Sequence, residues 1–288
     1  TSFGAANGDV TFVTLTVTDI YGNTQTCKTK LTLKDNEAPS INCNVTTTLT
    51  NTPGLCGHLM EAADNVNPTF SDNCSGAKRT HNYLAAPNDH TLQAAVLPVG
   101  TTTVVWTITD AGGNTTTCAV NYTVTDNINP AFVNCPSSAV MNNDIDKCGA
   151  QVFWLAPVAK DECGVTVTQT GGPVAGQLML VGTHTITYKA TDPSGNTAIC
   201  SWTITVNDAQ LPDIECPAGI QYLETNNGNC SHTVSGTLLN PSIVENCAVS
   251  SLTNDFNNAN SLNGAVFPQT AAPTIVTWKA TDNHDNTA

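Results

Sequence analysis

The sequence predicts an all-β protein of small sandwiches in tandem, and three observations carry this prediction. One turn motif recurs at Asp19, Asp110, Asp192 and Asp282, with spacings of 91, 82 and 90 residues. A run of alternating apolar residues precedes each turn, and no copy holds a helical period over ten residues. Short strands separated by frequent turn signals are typical of an immunoglobulin-like β-sandwich. We therefore expect a rod of tandem immunoglobulin-like β-sandwich domains.

The repeat length sets the domain organisation. A period of 80–90 residues is long enough for one small domain and too long for a solenoid unit. We expect the C-terminal part of a first repeat at 1–35, a second repeat at 36–127, a third at 128–208 and a truncated fourth at 209–288. The sequence opens in the middle of a repeat, so we expect an excerpt from a longer mature chain.

The strand before each turn carries its apolar residues at every second position. This spacing, in a Thr-rich run, predicts a strand with one buried face. The inward positions are Val13, Leu15 and Val17; Val104, Trp106 and Ile108; Ile186, Tyr188 and Ala190; and Val276, Trp278 and Ala280. Two of the four Trp residues, Trp106 and Trp278, lie at these positions, which favours a core role over a ligand cage.

The turn itself is Gly-Asn in three copies, at Gly22-Asn23, Gly113-Asn114 and Gly195-Asn196, and Asp285-Asn286 in the fourth. Gly and Asn both tolerate positive φ, which a tight hairpin requires. A second strand follows the turn and ends at a linker of the form Asp-x-x-x-Pro. Because Pro ends a strand and restricts the backbone, these linkers are expected to be stiff.

The composition excludes some classes of partner. The chain has 23 acidic and 9 basic residues, a net charge of −14, and one Arg, Arg79. Nucleic acid and anionic membranes both attract Lys and Arg, so neither is expected to bind. No run of about 18 apolar residues is present, so we expect no direct membrane insertion in this segment.

Twelve Cys residues are spread along the chain without CxxC pairs. This distribution favours disulfides over zinc and predicts an oxidising, extracellular location. Four Cys per repeat allow three connectivities. Strands A and G of a sandwich run side by side, so we expect the first Cys of a repeat to bond to its fourth Cys and the second Cys to bond to the third. The alternative pairing, first Cys with second and third Cys with fourth, stays open. The expected pairs are Cys43–Cys118, Cys135–Cys200, Cys56–Cys74, Cys148–Cys163 and Cys230–Cys247, with partners of Cys27 and Cys216 outside this sequence.

The third repeat closely resembles the hyalin repeat, or HYR domain. The residues that carry the resemblance are "CP…CG…DEC…VGTHTITYKATDPSGNTAICSWTITVND", from Cys135 to Asp208. The second repeat matches with "VGTTTVVWTITDAGGNTTTC" but has Asn44 after its first Cys, and the fourth has "CPAGI" and "TIVTWKATD". The resemblance implies immunoglobulin-like adhesion modules without catalytic activity. Long acidic tandems of this type resemble giant surface adhesins of gliding bacteria, exported by the type IX system.

No catalytic constellation is recognisable in the sequence. The six His residues are scattered, and none recurs at one repeat position. No metalloprotease, nucleophile-elbow or phosphate-loop motif occurs where a strand-to-helix transition would use it. We therefore expect no enzymatic activity and no catalytic residues in this segment.

Acidic residues recur at three places in each repeat, and these are candidates for a calcium site. In a sandwich, the turn, the loop before the third Cys and the linker of the preceding repeat meet at one end. Three carboxylates there suit Ca²⁺, which takes six to eight oxygen ligands. The alternative is that these Asp residues only cap turns and linkers. The candidates are Asp35, Asp72 and Asp110; Asp126, Asp161 and Asp192; and Asp208, Glu245 and Asp282.

These features predict the stalk repeats of a large secreted, surface-attached adhesin, used in cell attachment or gliding motility. The expected partners are an unidentified surface ligand or polysaccharide and other cell-surface proteins. Three alternatives stay open: spacer domains of a secreted hydrolase, a carbohydrate-binding repeat array, and a filament subunit that assembles laterally.

Overall fold

The computed structural model describes residues 10–83 and 90–288. They fall into two compact units. Of the described residues, the first unit comprises 10–83, 90–131, 160–166 and 191–197, and the second comprises 132–159, 167–190 and 198–288. In the described residues, the regular elements are β-strands and one short 3₁₀-helix, Ala62–Asp64. The all-β prediction is confirmed.

The first unit begins with the hairpin of the first repeat and continues with the strands of the second repeat. The hairpin consists of β1 (Val10–Thr18) and β2 (Thr24–Thr32). The strands of the second repeat are β3 (Ser40–Asn42), β4 (Thr48–Thr50), β5 (Gly57–Leu59), β6 (Thr69–Ser71), β7 (Lys78–His81), β8 (Val96–Pro98), β9 (Gly100–Thr109) and β10 (Thr115–Thr125).

The third and fourth repeats follow. The third has β11 (Ala131–Phe132), β12 (Ala139–Asn142), β13 (Gly149–Gln151), β14 (Ala159–Lys160), β15 (Thr166–Gly171), β16 (Leu178–Leu180), β17 (Gly182–Thr191) and β18 (Thr197–Asn207). The fourth has β19 (Asp213–Glu215), β20 (Ser231–Thr233), β21 (Ser242–Val244), β22 (Val249–Asn254), β23 (Val266–Pro268) and β24 (Trp278–Asp282).

The second and third repeats share one sheet topology. In the second repeat a four-stranded sheet has the order β4-β10-β9-β7, and the two-stranded sheets are β3-β6 and β5-β8. The third repeat repeats this plan with β12-β18-β17-β15, β11-β14 and β13-β16. In these large sheets β4 pairs in parallel with β10, and β12 pairs in parallel with β18. Strands A and G have the same relation in the expected sandwich. The fourth repeat has β19-β21, β20-β23 and β22-β24.

The core of the second repeat forms between its sheets around Trp106 and Tyr122, both fully buried. The Trp106 indole donates a hydrogen bond to the Tyr122 hydroxyl at 3.1 Å, and that hydroxyl donates to the Val66 carbonyl at 2.5 Å. Burial raises the pKa of Tyr122 to about 12, so the hydroxyl keeps the proton it donates. The alternation of β9 thus places Trp106 in the core, as predicted.

The third repeat has an aromatic core of the same design. Tyr188 stacks on Trp202 with ring centroids 5.7 Å apart, and Trp154 meets the edge of Trp202 at 6.1 Å. In the fourth repeat Trp278 is 9% exposed. Because these rings pack against each other or against the sheets, they do not form an exposed platform for sugars.

The hairpin of the first repeat differs from the prediction of a buried face. Val13, Leu15 and Val17 are 39%, 64% and 61% exposed. The sheet β1-β2 has two strands, and a two-stranded hairpin by itself has no second layer to cover its apolar side. Burial of this face therefore needs a second sheet, as in the later repeats.

The Tyr122 hydrogen bonds generate a stability prediction. Replacing Tyr122→Phe leaves the indole N–H of Trp106 without its acceptor and the Val66 carbonyl without its donor, at a cost of about 1–3 kcal/mol. Tyr222→Phe is the matched control, because Tyr222 is 89% exposed. Urea unfolding of the oxidised protein measures both. Equal midpoints for the two variants would contradict this account of the core.

Candidate functional site: the junctions between repeats

The acidic residues predicted from the sequence meet at the boundaries between repeats. We define the first junction by Asp35, Asp72 and Asp110, the middle junction by Asp126, Asp161 and Asp192, and the third junction by Asp208, Glu245 and Asp282. The first two lie within the first unit and the third lies within the second unit. In each, the linker after one repeat meets two loops of the next.

The recurring turn is held by an Asp–Asn pair. The Asp110 carboxylate accepts hydrogen bonds from the backbone N–H of Asn114 at 2.7 Å and from its side-chain amide at 2.6 Å. The same two bonds join Asp192 to Asn196 and Asp282 to Asn286. The Asp carboxylate therefore stabilises the turn by its hydrogen bonds to the Asn four residues later.

The positive φ that the turn requires falls on the residue before this Asn. Gly113 has φ +88° and Gly195 has φ +92°. In the fourth copy Asp285 takes this role with φ 67°. The expectation that Asn serves the turn by adopting positive φ is therefore corrected: Asn acts through its side chain.

The same Asn side chain also reaches the linker of the preceding repeat. The Asn114 amide donates to the carbonyls of Asp35 and Glu37, each at 3.2 Å. The Asn196 amide donates to the Asp126 carbonyl at 3.1 Å. Asn286 reaches the Asp208 carbonyl at 3.4 Å. The turn motif is thus a clamp between consecutive repeats, and its function explains why it recurs.

The clamp also sets the protonation of its Asp. Burial of Asp192 by itself raises the pKa of its carboxyl. The hydrogen bonds from the Asn196 side chain and from the backbone N–H groups of Asn196, Gly195 and Ser194 outweigh burial, so the pKa lies below its usual value. Asp282 shows the same direction, with burial opposed by Asn286 and His284. Both residues are charged when the clamp is closed.

The predicted acidic residues approach one another closely at the first and third junctions. Carboxylate oxygens of Asp35, Asp72 and Asp110 lie within 4.8 Å of one another. The same holds for Asp208, Glu245 and Asp282. Asp208 also contacts His284, with 3.1 Å between carboxylate and ring nitrogen.

At the middle junction, oxygens of Asp126 and Asp161 and the sulfur of Cys163 form the close group. Asp192 is connected to this group through Asn196, whose amide donates both to the Asp192 carboxylate and to the Asp126 carbonyl. All nine predicted acidic residues therefore lie at or beside a junction.

Two disulfides lie within single repeats. They join Cys43 to Cys118, with Cα atoms 6.6 Å apart, and Cys135 to Cys200, with Cα atoms 5.7 Å apart. These are the expected first-to-fourth pairs, and each links the opening segment of its repeat to the last long strand.

The other two disulfides join different repeats, which corrects the expected second-to-third pairs. Cys56 bonds to Cys163, with Cα atoms 4.7 Å apart, and Cys148 bonds to Cys247, with Cα atoms 4.6 Å apart. The structure therefore does not form the pairs Cys56–Cys74, Cys148–Cys163 and Cys230–Cys247, and it leaves Cys27, Cys74, Cys216 and Cys230 as thiols.

The physical reason lies in where each Cys sits in its repeat. Cys74 lies at the first junction, where the hydrogen bond to Asp35, burial and the nearby charges of Asp35, Asp72 and Asp110 raise the pKa of its thiol. Cys56 lies at the opposite end, where it meets Cys163 of the next repeat. The second Cys of each repeat therefore bonds to the next repeat, and Cys74 stays a thiol.

These features define a tandem of immunoglobulin-like β-domains in which disulfides join the second repeat to the third and the third to the fourth. Residues 125–206 match the family model of the HYR domain, which confirms the resemblance for the third repeat. The chain is also 30% identical to hyalin of Strongylocentrotus purpuratus over 220 residues, which is 72% of this chain and 17% of hyalin. For hyalin of Lytechinus variegatus, identity is 30% over 219 residues, which cover 38% of that protein. The chain thus spans less than two fifths of either hyalin.

Shorter and more distant similarities also occur. A segment of 110 residues is 33% identical to the Sushi, von Willebrand factor type A, EGF and pentraxin domain-containing protein 1 of Rattus norvegicus, covering 36% of this chain and 3% of that protein. A protocadherin gammaB7 EC3-6 structure aligns with 96% of this chain and 82% of its own at 12% identity and a TM-score of 0.33. Within residues 10–83 and 90–288, no helix is long and apolar enough to cross a membrane.

The inter-repeat pairing predicts the outcome of a cleavage experiment. A protease site inserted between Asn127 and Ile128 separates two fragments that only Cys56–Cys163 connects. After cleavage, non-reducing electrophoresis is expected to show one band, and reduction is expected to show two.

The matched variants make this test specific. In Cys56→Ser/Cys163→Ser the fragments are expected to separate without reductant. In Cys135→Ser/Cys200→Ser they are expected to stay joined, because that bond lies within one fragment. Separation of the fragments in the parent chain would show that the pairing is wrong.

The lowered pKa of Asp192 predicts a stability change in acid. A carboxyl whose pKa is lower in the folded state stabilises the fold above its unfolded pKa of about 3.9. This stabilisation is lost as the pH falls through the folded pKa. Asp192→Asn is therefore expected to lose less stability between pH 6 and pH 2 than the parent chain. The measurement is the unfolding temperature against pH, with the exposed Asp213→Asn as control; parallel curves for all three proteins would contradict the role of Asp192.

Proposed function

We propose that this chain forms structural stalk repeats of a secreted, surface-attached adhesin. The observation that carries the proposal is the disulfide across two consecutive boundaries, Cys56–Cys163 and Cys148–Cys247. A catalytic or ligand-binding domain does not require covalent ties to both neighbours. A stalk under tension benefits from them, because the load passes from repeat to repeat without relying on the linker alone.

The disulfides shorten the load-bearing path. In the oxidised chain the shortest covalent route runs through residues 1–56, 148–163 and 247–288, which is about two fifths of the sequence. Pulling the ends apart therefore leaves most of the chain unloaded. The two bonds also span 107 and 99 residues, and loops of this size stabilise a fold by about 4.7 kcal/mol each in the loop-entropy model.

The pairing follows a rule that extends to the free thiols. The second Cys of one repeat bonds to the third Cys of the next. Cys74 is a third Cys and Cys230 is a second Cys, so we infer that each bonds to an adjoining repeat where one is present. Cys27 is a fourth Cys and Cys216 a first Cys, so by the pairing within the second and third repeats Cys27 would bond to a first Cys and Cys216 to a fourth Cys. All four free thiols are then accounted for by one scheme.

Three further observations support an extracellular, non-enzymatic role. Disulfides persist in oxidising compartments outside the cytosol. The net charge of −14 keeps a crowded surface array soluble and monomeric. Similarity to the two hyalins extends over 72% of the chain. We propose an unidentified surface ligand, polysaccharide or cell-surface protein as the partner of the full-length adhesin.

The narrower hypothesis concerns the type of cell. We propose a surface adhesin of gliding bacteria, exported by the type IX system. Its support is the resemblance of this acidic, Thr/Asn-rich tandem to such adhesins, whereas the relatives compared above come from sea urchins and a rat. Antibody labelling of intact producing cells, with and without the type IX machinery, tests it; equal surface labelling in both would contradict the hypothesis.

The mechanical role predicts a loss of attachment strength. In the parent protein, replacing Cys56, Cys163, Cys148 and Cys247 by Ser removes both inter-repeat bonds and leaves the bonds within repeats intact. Cells that carry this variant are expected to detach at lower shear than wild-type cells in a flow chamber, since each junction then yields independently.

The comparison requires equal amounts of protein on the surface, which antibody binding to intact cells measures. Unchanged detachment at equal surface amounts would contradict the stalk role. If the variant instead lowers the hydrolysis of a polymer by the parent protein and leaves attachment intact, the repeats are spacers of a hydrolase.

A further inference from the structure

We propose that each junction binds one Ca²⁺ ion between the linker of one repeat and two loops of the next. Three carboxylates lie within 4.8 Å of one another at the first and third junctions. Each set combines one residue from the linker, one from the loop before the third Cys and one from the turn. A cation at their centre would therefore hold three separate segments of chain together.

An acidic group alone is not a binding site, but the burial of these oxygens supplies a second observation. Asp126 is 8% exposed, and its Oδ2 atom is shielded from solvent and has no hydrogen-bond donor in the described part of the chain. A buried carboxylate oxygen without a donor is costly, because it has lost water and gained nothing in exchange. A cation beside Asp126 removes that cost.

The same feature recurs at the other two junctions. Both carboxylate oxygens of Asp72 and the Oε2 atom of Glu245 are shielded and lack a donor within residues 10–83 and 90–288. The side-chain oxygen of Asn246, next to Glu245, is in the same condition. Asp72 and Glu245 occupy equivalent loop positions, and Asp126 lies in the linker of the middle junction, so each of the three junctions has at least one shielded carboxylate oxygen without a donor.

The turn carboxylates remain able to bind a cation while they hold the clamp. Asp110 and Asp282 each accept their hydrogen bonds from the turn backbone and from the Asn side chain. A carboxylate has about four lone-pair positions, so two or three hydrogen bonds leave one free. The hydrogen bonds of the clamp therefore orient these carboxylates and leave a lone pair on each for a cation.

The ligand set favours calcium over other metals. Zinc prefers several thiolate and imidazole ligands, but the sulfurs of Cys163 and Cys247 are in disulfides, and the first and third junctions offer one thiol, Cys74, and one imidazole, His284, respectively. Ca²⁺ accepts an irregular set of carboxylate and carbonyl oxygens, whereas Mg²⁺ requires a near-octahedral set at shorter distances. Ligands from three separate segments fit Ca²⁺, which is larger and accepts a less regular coordination geometry.

Calorimetry on the oxidised chain after removal of metal tests the proposal. Titration with CaCl₂ is expected to saturate at three ions per chain and to raise the unfolding temperature, and MgCl₂ at equal concentration is expected to compete weakly. Absence of both the heat and the thermal shift with millimolar Ca²⁺ would overturn the proposal.

Two variants of one loop locate the middle ion. Asp161→Asn keeps the oxygen that accepts the backbone N–H of Cys163 but removes the charge, and it is expected to lose one of the three ions. Glu162→Gln removes the same charge from the exposed neighbouring residue and is expected to bind three. If both variants bind three ions, or both lose the same number, the middle site is not at Asp161. Shear detachment tests the stalk role separately, so failure of calcium binding does not by itself overturn that role.

Discussion

The disulfide between the second Cys of one repeat and the third Cys of the next is the constraint on which the middle and third junctions depend. It fixes the loop before the third Cys against the end of the preceding repeat, and that loop carries Asp161 or Glu245. The linker and the turn then meet it from two other directions. Without this bond, three short polar segments would have to find each other at the cost of their own conformational entropy.

The Asp–Asn clamp completes the junction by a noncovalent route. One amide side chain donates to the turn carboxylate and also to a linker carbonyl, so the closed turn is tied to the preceding linker. The disulfide holds the loop before the third Cys, and the clamp holds the turn at the same end of the repeat. Together they connect the linker, the turn and the loop before the third Cys at the middle and third junctions.

The sequence predicted the fold because the signals for it are local. Alternating residues such as Ile186 and Tyr188 identify a strand, and Gly195 identifies its turn, without any knowledge of the neighbouring repeat. The repeat period then predicted that each repeat is a separate sandwich. The exposed face of Val13, Leu15 and Val17 escaped prediction, because alternation shows which residues share a face and not whether a second sheet covers it.

The junctions were predicted less completely, because their contacts join different repeats. The acidic residues were found from their recurrence, and the structure brings them together. The pairing of Cys56 was missed, since four Cys within one repeat invite pairing inside that repeat. A signal for the clamp was present in the sequence: Asn286 is retained in the fourth copy although Gly gives way to Asp285, so Asn is required for a reason other than positive φ.

The central claim is that consecutive repeats are joined covalently. Mass-spectrometric mapping of peptides from the unreduced protein, with free thiols blocked beforehand, tests it most directly. For the chain of 288 residues by itself, we expect linked peptides that contain Cys56 with Cys163 and Cys148 with Cys247, and blocked thiols at Cys74 and Cys230. Peptides that link Cys56 with Cys74 and Cys148 with Cys163 would contradict it, because every repeat would then be closed on itself.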